Sequence, residues 1–204
     1  ARYAPGPVTI NLTTNTLIGC GNDTLVSIEG ARGSTYNDTI IGSPGPDIEL
    51  FGDEGEDLIN GAEGDDILSG YCLGWYEQYC ALDKGVDTIA GGPGNDVIYD
   101  VGMSIIIHIP GGYEYVTASD IADGGEGADT ISYWGSEAAV TVDLAAGTGT
   151  VGSPGGNYYA VDTLTNIENI RGTAQDDTLS GDSGANVVHS EDGDDTVNGR
   201  GGED

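Results

Sequence analysis

Positive charge is nearly missing from this chain. Of 204 residues only 5 are Lys or Arg, against 35 Asp or Glu, for a formal net charge of −30. Nucleic-acid binding needs a basic footprint, and there is none. An anionic membrane surface would repel the chain. No apolar run reaches the roughly 18 residues that a membrane helix needs. With 2 His and 3 Cys, and no CxxC pair, little is available to build a zinc or haem site. The chain begins at Ala1, without Met and without a basic stretch leading into an apolar one. It therefore reads as mature, excised, or exported without an N-terminal signal. Cys72 and Cys80 are close enough in sequence to close a small ring; Cys20 is left as a free thiol or an intermolecular link.

Catalytic signatures are also missing. There is no GxSxG, HExxH or P-loop. The one Lys, Lys84, lies inside a split repeat. Paired carboxylates occur at almost every turn signal, so they cannot single out a glycosidase site. No enzymatic activity is expected.

What the chain has is Gly and Asp, in register. Gly accounts for 36 residues, while Leu, Ile, Val and Phe together make up about a fifth of the chain. Such a polyanion either stays disordered or neutralises itself with cations. The glycines and acids fall into nonapeptides of the form G-G-x-G-x-D-x-U-x, with U apolar. Clear units are GDEGEDLIN from Gly52, GAEGDDILS from Gly61, GGPGNDVIY from Gly91 and GGEGADTIS from Gly124. Looser units start at Gly33, Gly42, Gly172, Gly181 and Ser190. One unit is split between Gly70 and residues 84–90, and a last one from Gly199 stops at its Asp.

Each position has a physical reading. The early glycines allow a tight turn with inward-crowding carbonyls. The Asp closes the turn with its carboxylate in the carbonyl-lined hollow. The β-branched and aliphatic residues that follow suit a very short strand. The U column runs Ile40, Ile59, Leu68, Ile89, Ile98, Ile131, Leu179, Val188 and Val197. Glu49 breaks it and Phe51 adds one residue, which predicts a register correction there. Two nonapeptides, each a turn plus a strand, make one coil of a parallel solenoid. Turns two units apart then stack, placing Asp38 near Asp57, Asp47 near Asp66, Asp177 near Asp195 and Asn186 near Asp204. Carboxylates at about the 4.8 Å strand spacing repel unless a cation lies between them. Ca²⁺, with six to eight carboxylate and carbonyl oxygens in flexible geometry, suits this better than the rigid, hydrated Mg²⁺. The expected ligands are Asp38, Asp47, Asp57, Asp66, Asp87, Asp96, Asp129, Asp177, Asn186, Asp195 and Asp204.

On these units the sequence resembles the repeats-in-toxin, or hemolysin-type, calcium-binding family, over roughly residues 18–69, 84–99, 123–132 and 161–204. The resemblance implies an all-β fold, a right-handed parallel β-roll with several Ca²⁺ ions between successive turns. It also implies an extracellular location.

The expected organisation is flanking strands over 1–32, a first roll block over 33–132, flanking strands over 133–171, and a second block over 172–204. The flanks look duplicated: VTINL (8–12) and DTLVSIEGARGSTYNDTII match VTVDL (140–144) and DTLTNIENIRGTAQDDTLS. They are expected to continue the coil without metal, with Asp23, Asp143 and Asp162 solvated or capping. Insertion 71–83 is rich in Tyr and Trp and is either a loop laid over the roll or a surface for a glycan or protein partner. Insertion 100–123 reads as a hairpin turning at Gly111–Gly112.

Three functions fit. The first is an extracellular, calcium-folded structural protein, a surface or filament subunit associating end to end with its own kind. The second is the calcium-binding and secretion module of a larger enzyme, toxin or adhesin. The third is a binding module built on 71–83.

Overall fold

A nonapeptide leaves only about three residues between the Asp that ends one turn and the Gly that starts the next. Strands of three residues are the direct result. The structure, a computed structural model, describes all residues except 2, 20, 72–84, 100–104, 110, 111, 117, 155–158 and 203, and only the backbone over 105–116. The aromatic insertion 71–83 therefore lies almost wholly outside the described residues. Among the described residues there is no helix.

Two sheets form the roll. Sheet A contains β1 (Thr9–Asn11), β2 (Thr16–Ile18), β3 (Asn22–Thr24), β5 (Thr39–Ile41), β7 (Leu58–Asn60), β9 (Thr88–Pro93), β13 (Ile121–Glu126), β15 (Val140–Asp143), β16 (Thr148–Gly152), β17 (Tyr159–Thr165), β19 (Thr178–Ser180) and β21 (Thr196–Asn198). Sheet B contains β4 (Gly30–Arg32), β6 (Glu49–Phe51), β8 (Ile67–Ser69), β10 (Val97–Tyr99), β14 (Thr130–Ser132), β18 (Asn169–Arg171) and β20 (Val187–His189). The chain alternates between the sheets, and successive coils pair in parallel: β5 with β7 with β9 with β13 in sheet A, and β4 with β6 with β8 with β10 with β14 in sheet B. This is a β-roll.

The middle residue of each strand points inward and builds one core. Ile40, Ile59, Ile89, Ala122 and Leu179 come from sheet A, and Leu50, Leu68, Ile98, Ile131 and Ile170 from sheet B. The U column behaves as its pattern demands except at its end, where Val197 of the last strand is 50% exposed. At Glu49 the register does shift. Leu50 takes the inward place, opposite Leu68, and Glu49 is exposed. The extra residue moves the apolar side chain back onto the core face and lengthens that coil from 18 to 19 residues, as the contacts Asp38–Asp57 and Asp47–Asp66 reflect.

The flanks do not simply continue the coil. β1–β2–β3 and β15–β16–β17 are antiparallel meanders lying wholly in sheet A. A period-two pattern fixes which face is buried but not the direction of pairing. Among the described residues sheet A consequently has twelve strands where sheet B has seven. Insertion 100–123 contains the expected hairpin, β11 (Ile105–Ile109) with β12 (Gly112–Val116). Gly112 pairs with Ile109, so Gly112 belongs to the strand rather than to the turn. The insertion is also shorter than expected, because Ile121–Asp123 already pair with β9 and belong to the roll.

Neighbouring residues of β7 test the inward column. Ile59 is fully buried and Leu58 is 50% exposed. Ile59→Ala should destabilise the calcium-loaded protein by about 2–5 kcal/mol. Leu58→Ala should cost about 0.5 kcal/mol or less. Denaturant unfolding at saturating Ca²⁺ measures both.

Candidate metal centre

Each repeat Asp sits where a turn enters a strand. Its backbone N–H faces the next coil, and the carboxylate of that coil's Asp receives it. Along the edge leading into sheet A, Asp38 N–H donates to Asp57 Oδ1 (2.7 Å), Asp57 to Asp87 (2.8 Å), Asp87 to Asp120 (2.8 Å) and Asp120 to Asp162 (3.1 Å). Along the edge leading into sheet B, Asp47 donates to Asp66 (2.8 Å), Asp66 to Asp96 (2.8 Å), Asp96 to Asp129 (2.7 Å) and Asp129 to Glu168 Oε2 (2.9 Å). In the second block Asp177 N–H reaches Asp195 (2.8 Å) and Asn186 N–H reaches Asp204 (3.0 Å). All eleven residues singled out from the sequence thus lie in these ladders.

One carboxylate oxygen serves the ladder; the other turns into the hollow of its own glycine turn. A Cβ on Gly61 would collide with Asp66 Oδ2 and lie 2.6 Å from the Gly91 carbonyl oxygen. On Gly91 it would strike Asp96 Oδ2 and lie 2.5 Å from the Gly124 carbonyl oxygen. Only glycine leaves this space, and it is lined with acceptors. The Oδ2 atoms of Asp66, Asp96 and Asp129 are buried and have no hydrogen-bond donor. A buried acceptor without a partner is costly, and more so when charged. A cation bound by oxygens resolves that cost. Each hollow sets a carboxylate oxygen beside a backbone carbonyl oxygen, a mixed donor set that fits Ca²⁺.

Electrostatics point the same way. Burial, with neighbouring carboxylates adding to it, pushes Asp66 up to about 6 and Asp96 up to about 7. Burial also raises Asp47, Asp129 and Asp177. Half-buried Asp143 is held low by the Arg200 guanidinium, which donates to both its oxygens at 2.6 Å.

The positions are not equivalent. At both leading turns of the first block and at the first turn of the second, the second residue is Ser or Thr. Ser34 donates its N–H and hydroxyl to Asp38, Ser43 does the same for Asp47, and Thr173 for Asp177. Those carboxylates already have donors. Asn186 holds Glu168 O and Asp182 Oδ1 through its side-chain amide.

Three ladder members escaped the sequence reading: Asp120, Asp162 and Glu168. Asp120 follows an insertion with no glycine run before it. Its signal was the string Asp-Ile-Ala-Asp-Gly, which has the Asp-x-U-x-Gly spacing with Ala at U. Asp162 was expected to be solvated or capping but is fully buried. Its second oxygen accepts the Tyr133 hydroxyl (3.0 Å), and burial pushes its carboxyl up to about 7. Asp143 caps its turn as expected, accepting the Ala146 N–H at 2.9 Å, and Asp23 is exposed.

A family model described as the RTX calcium-binding nonapeptide repeat matches in four copies, over residues 32–68, 83–100, 117–134 and 170–204, just over half of the chain. No curated protein matches the chain.

The raised carboxyls give the metal-free fold a definite pH dependence. Folded Asp66 and Asp96 hold protons more tightly than unfolded ones. Their cost to folding is absent below the ordinary value of 3.8, grows as pH rises, and is complete above about 7. In chelator, acidification from about pH 8 to about pH 4 should increase β structure. At limiting Ca²⁺ the same change should decrease it, because protons compete for the ligands. Far-UV circular dichroism along both titrations reads the two slopes.

Proposed function

Because the chain belongs to the RTX calcium-binding nonapeptide-repeat family and binds Ca²⁺ through its turns, we propose that it is an extracellular structural β-roll, folded by Ca²⁺ and joined end to end with further copies. The observation that carries this reading is the row of buried, donorless carboxylate oxygens on Asp66, Asp96 and Asp129. The interior ladder members Asp57, Asp66, Asp87, Asp96, Asp120 and Asp129 would hold the ions, with the carbonyls of Gly91 and Gly124 among their partners. Bound Ca²⁺ supplies the positive charge that these facing oxygens lack.

The rest follows from linkage. A ladder that repels itself without metal forms poorly at low calcium and well where Ca²⁺ is abundant, which suits folding outside the cell. Metal binding then is folding free energy. End-to-end association is consistent with a solenoid whose terminal coils leave apolar side chains uncovered. The inward Val197 at one end is 50% exposed, and Ile28 at the other is 42% exposed. No described residue is given a catalytic role, and a partner for 71–83 lies outside the described residues.

The test is a calcium titration followed by circular dichroism and by size. The chain should be largely disordered in EGTA and gain β structure on reaching millimolar Ca²⁺, with assembly following folding. Asp66→Ala should lower the cooperativity of the titration more than Asp143→Ala. A chain with the same β content in EGTA and in Ca²⁺ would overturn the reading.

A further inference from the structure

The two flanking segments are the same object in two surroundings. Residues 23–41 align with 162–180 without a gap, and 8–16 with 140–148. The structure repeats with the sequence. Val8 N–H donates to Asp38 Oδ1 (2.6 Å) as Val140 N–H does to Asp177 (2.8 Å). Thr14 N–H donates to Asn11 Oδ1 (2.7 Å) as Ala146 N–H does to Asp143 (2.9 Å). Ser27 and Asn166 share a left-handed backbone, φ 53° and 50°. Arg32 bridges to Asp53 as Arg171 does to Glu191.

The surroundings differ on one side. In the second copy, the outer edge of β17 is covered by the closing coil of the first block. β13 pairs with it in parallel, Ile121 opposite Thr163 and Ala122 opposite Leu164. Asp120 N–H reaches the Asp162 carboxylate, Asp129 N–H reaches Glu168, and the Asp129 carbonyl accepts the N–H groups of Glu168 and Asn169 (3.1 and 2.8 Å). In the first copy the equivalent strand, β3, is the last of sheet A. The burial follows the cover. Asp162, Leu164 and Ile167 are buried, whereas Asp23 is exposed, Leu25 is half-buried and Ile28 is 42% exposed.

The coil that would fit this edge is present in the chain. Residues 196–204 (TVNGRGGED) repeat the layout of 121–129 (IADGGEGAD), with Asp195 and Asp204 in the places of Asp120 and Asp129. β21 is the other terminal strand of sheet A, and Thr196, Val197 and Asn198 are all exposed. Past Asp129 the docked coil also gives the Tyr133 N–H to the Arg171 carbonyl (2.9 Å). In the first copy the Ala1 amino group already fills that acceptor on Arg32 (2.7 Å).

We propose that the outer edge of β3, with Asp23, Leu25, Ile28 and Glu29, is the docking site for β21 and the following turn of a second copy. Thr196 lies opposite Thr24 and Val197 opposite Leu25. The Asp195 N–H is given to the Asp23 carboxylate and the Asp204 N–H to Glu29. The proposal rests on the end-to-end reading above and specifies its interface.

The test uses the full chain in saturating Ca²⁺, with sedimentation velocity as the readout. Wild type should show a mass that grows with concentration. Ile28→Asp and Val197→Asp should each be monomeric at concentrations where wild type assembles, a weakening of at least about tenfold. Asp23→Lys, at an exposed site, is the alternative should Ile28→Asp lose its calcium-induced circular dichroism. Mixing Ile28→Asp with Val197→Asp leaves one intact β21 end and one intact β3 edge, so a species of two chains and nothing larger should form. A wild type that stays monomeric overturns both this site and the end-to-end reading. Assembly that Ile28→Asp leaves unchanged, or a mixture that stays monomeric, overturns this site alone.

Discussion

The amide of one aspartate donating to the carboxylate of the next is the contact around which the rest of this roll is arranged. It is favourable one link at a time, since a carboxylate accepting an N–H makes a strong hydrogen bond. Repeated along an edge, it lines up negative charges at about the strand spacing, in a place that water barely reaches. The ladder thus fixes the register of the coils and at the same time makes them repel. The glycines keep the hollow open, the carbonyls turn toward it, and the second carboxylate oxygen is left buried and donorless. Each of these features is a cost in a metal-free protein, and they share one remedy.

Much of this was legible in the sequence, because the nonapeptide carries both periodicities at once. The Gly–Asp spacing marks the turns and their ladders, and the apolar column marks the core, where seven of its nine members are almost fully buried. Even the slip at Glu49 announced itself, since no acidic side chain can sit between Leu68 and the core. What stayed hidden depended on contacts remote in sequence. Asp162 is buried because Asp120, 42 residues earlier, lies against it, and nothing local in Asp-Thr-Leu-Thr reports that neighbour. The antiparallel direction of β15–β16–β17 was equally silent, because alternation reads the same in both directions. Asp120 was obscured by the insertion that displaced its glycines.

The leading turns carry a further distinction. Ser34, Ser43 and Thr173 give their aspartates ordinary hydrogen-bond donors. Tyr133 does the same for Asp162, where the first sheet-A ladder stops. The donorless oxygens of Asp66, Asp96 and Asp129 lie in the other ladder, between Asp47 and Glu168. A hydroxyl is a neutral way to close an anionic column, and the chain uses one at both limits of its first sheet-A ladder. Arg32, Arg171 and Arg200 work similarly, each neutralising an acid at a turn rather than within a ladder.

The ladder is also one-way. In every link the earlier coil gives the N–H and the later coil gives the carboxylate. The roll is therefore a vector, with acceptors facing out at its leading end and donors at its trailing end. Two leading ends cannot meet without setting carboxylate against carboxylate. Whatever is built by continuing this ladder inherits that sense: it has two chemically unlike tips, and it can tell forward from backward along its own length.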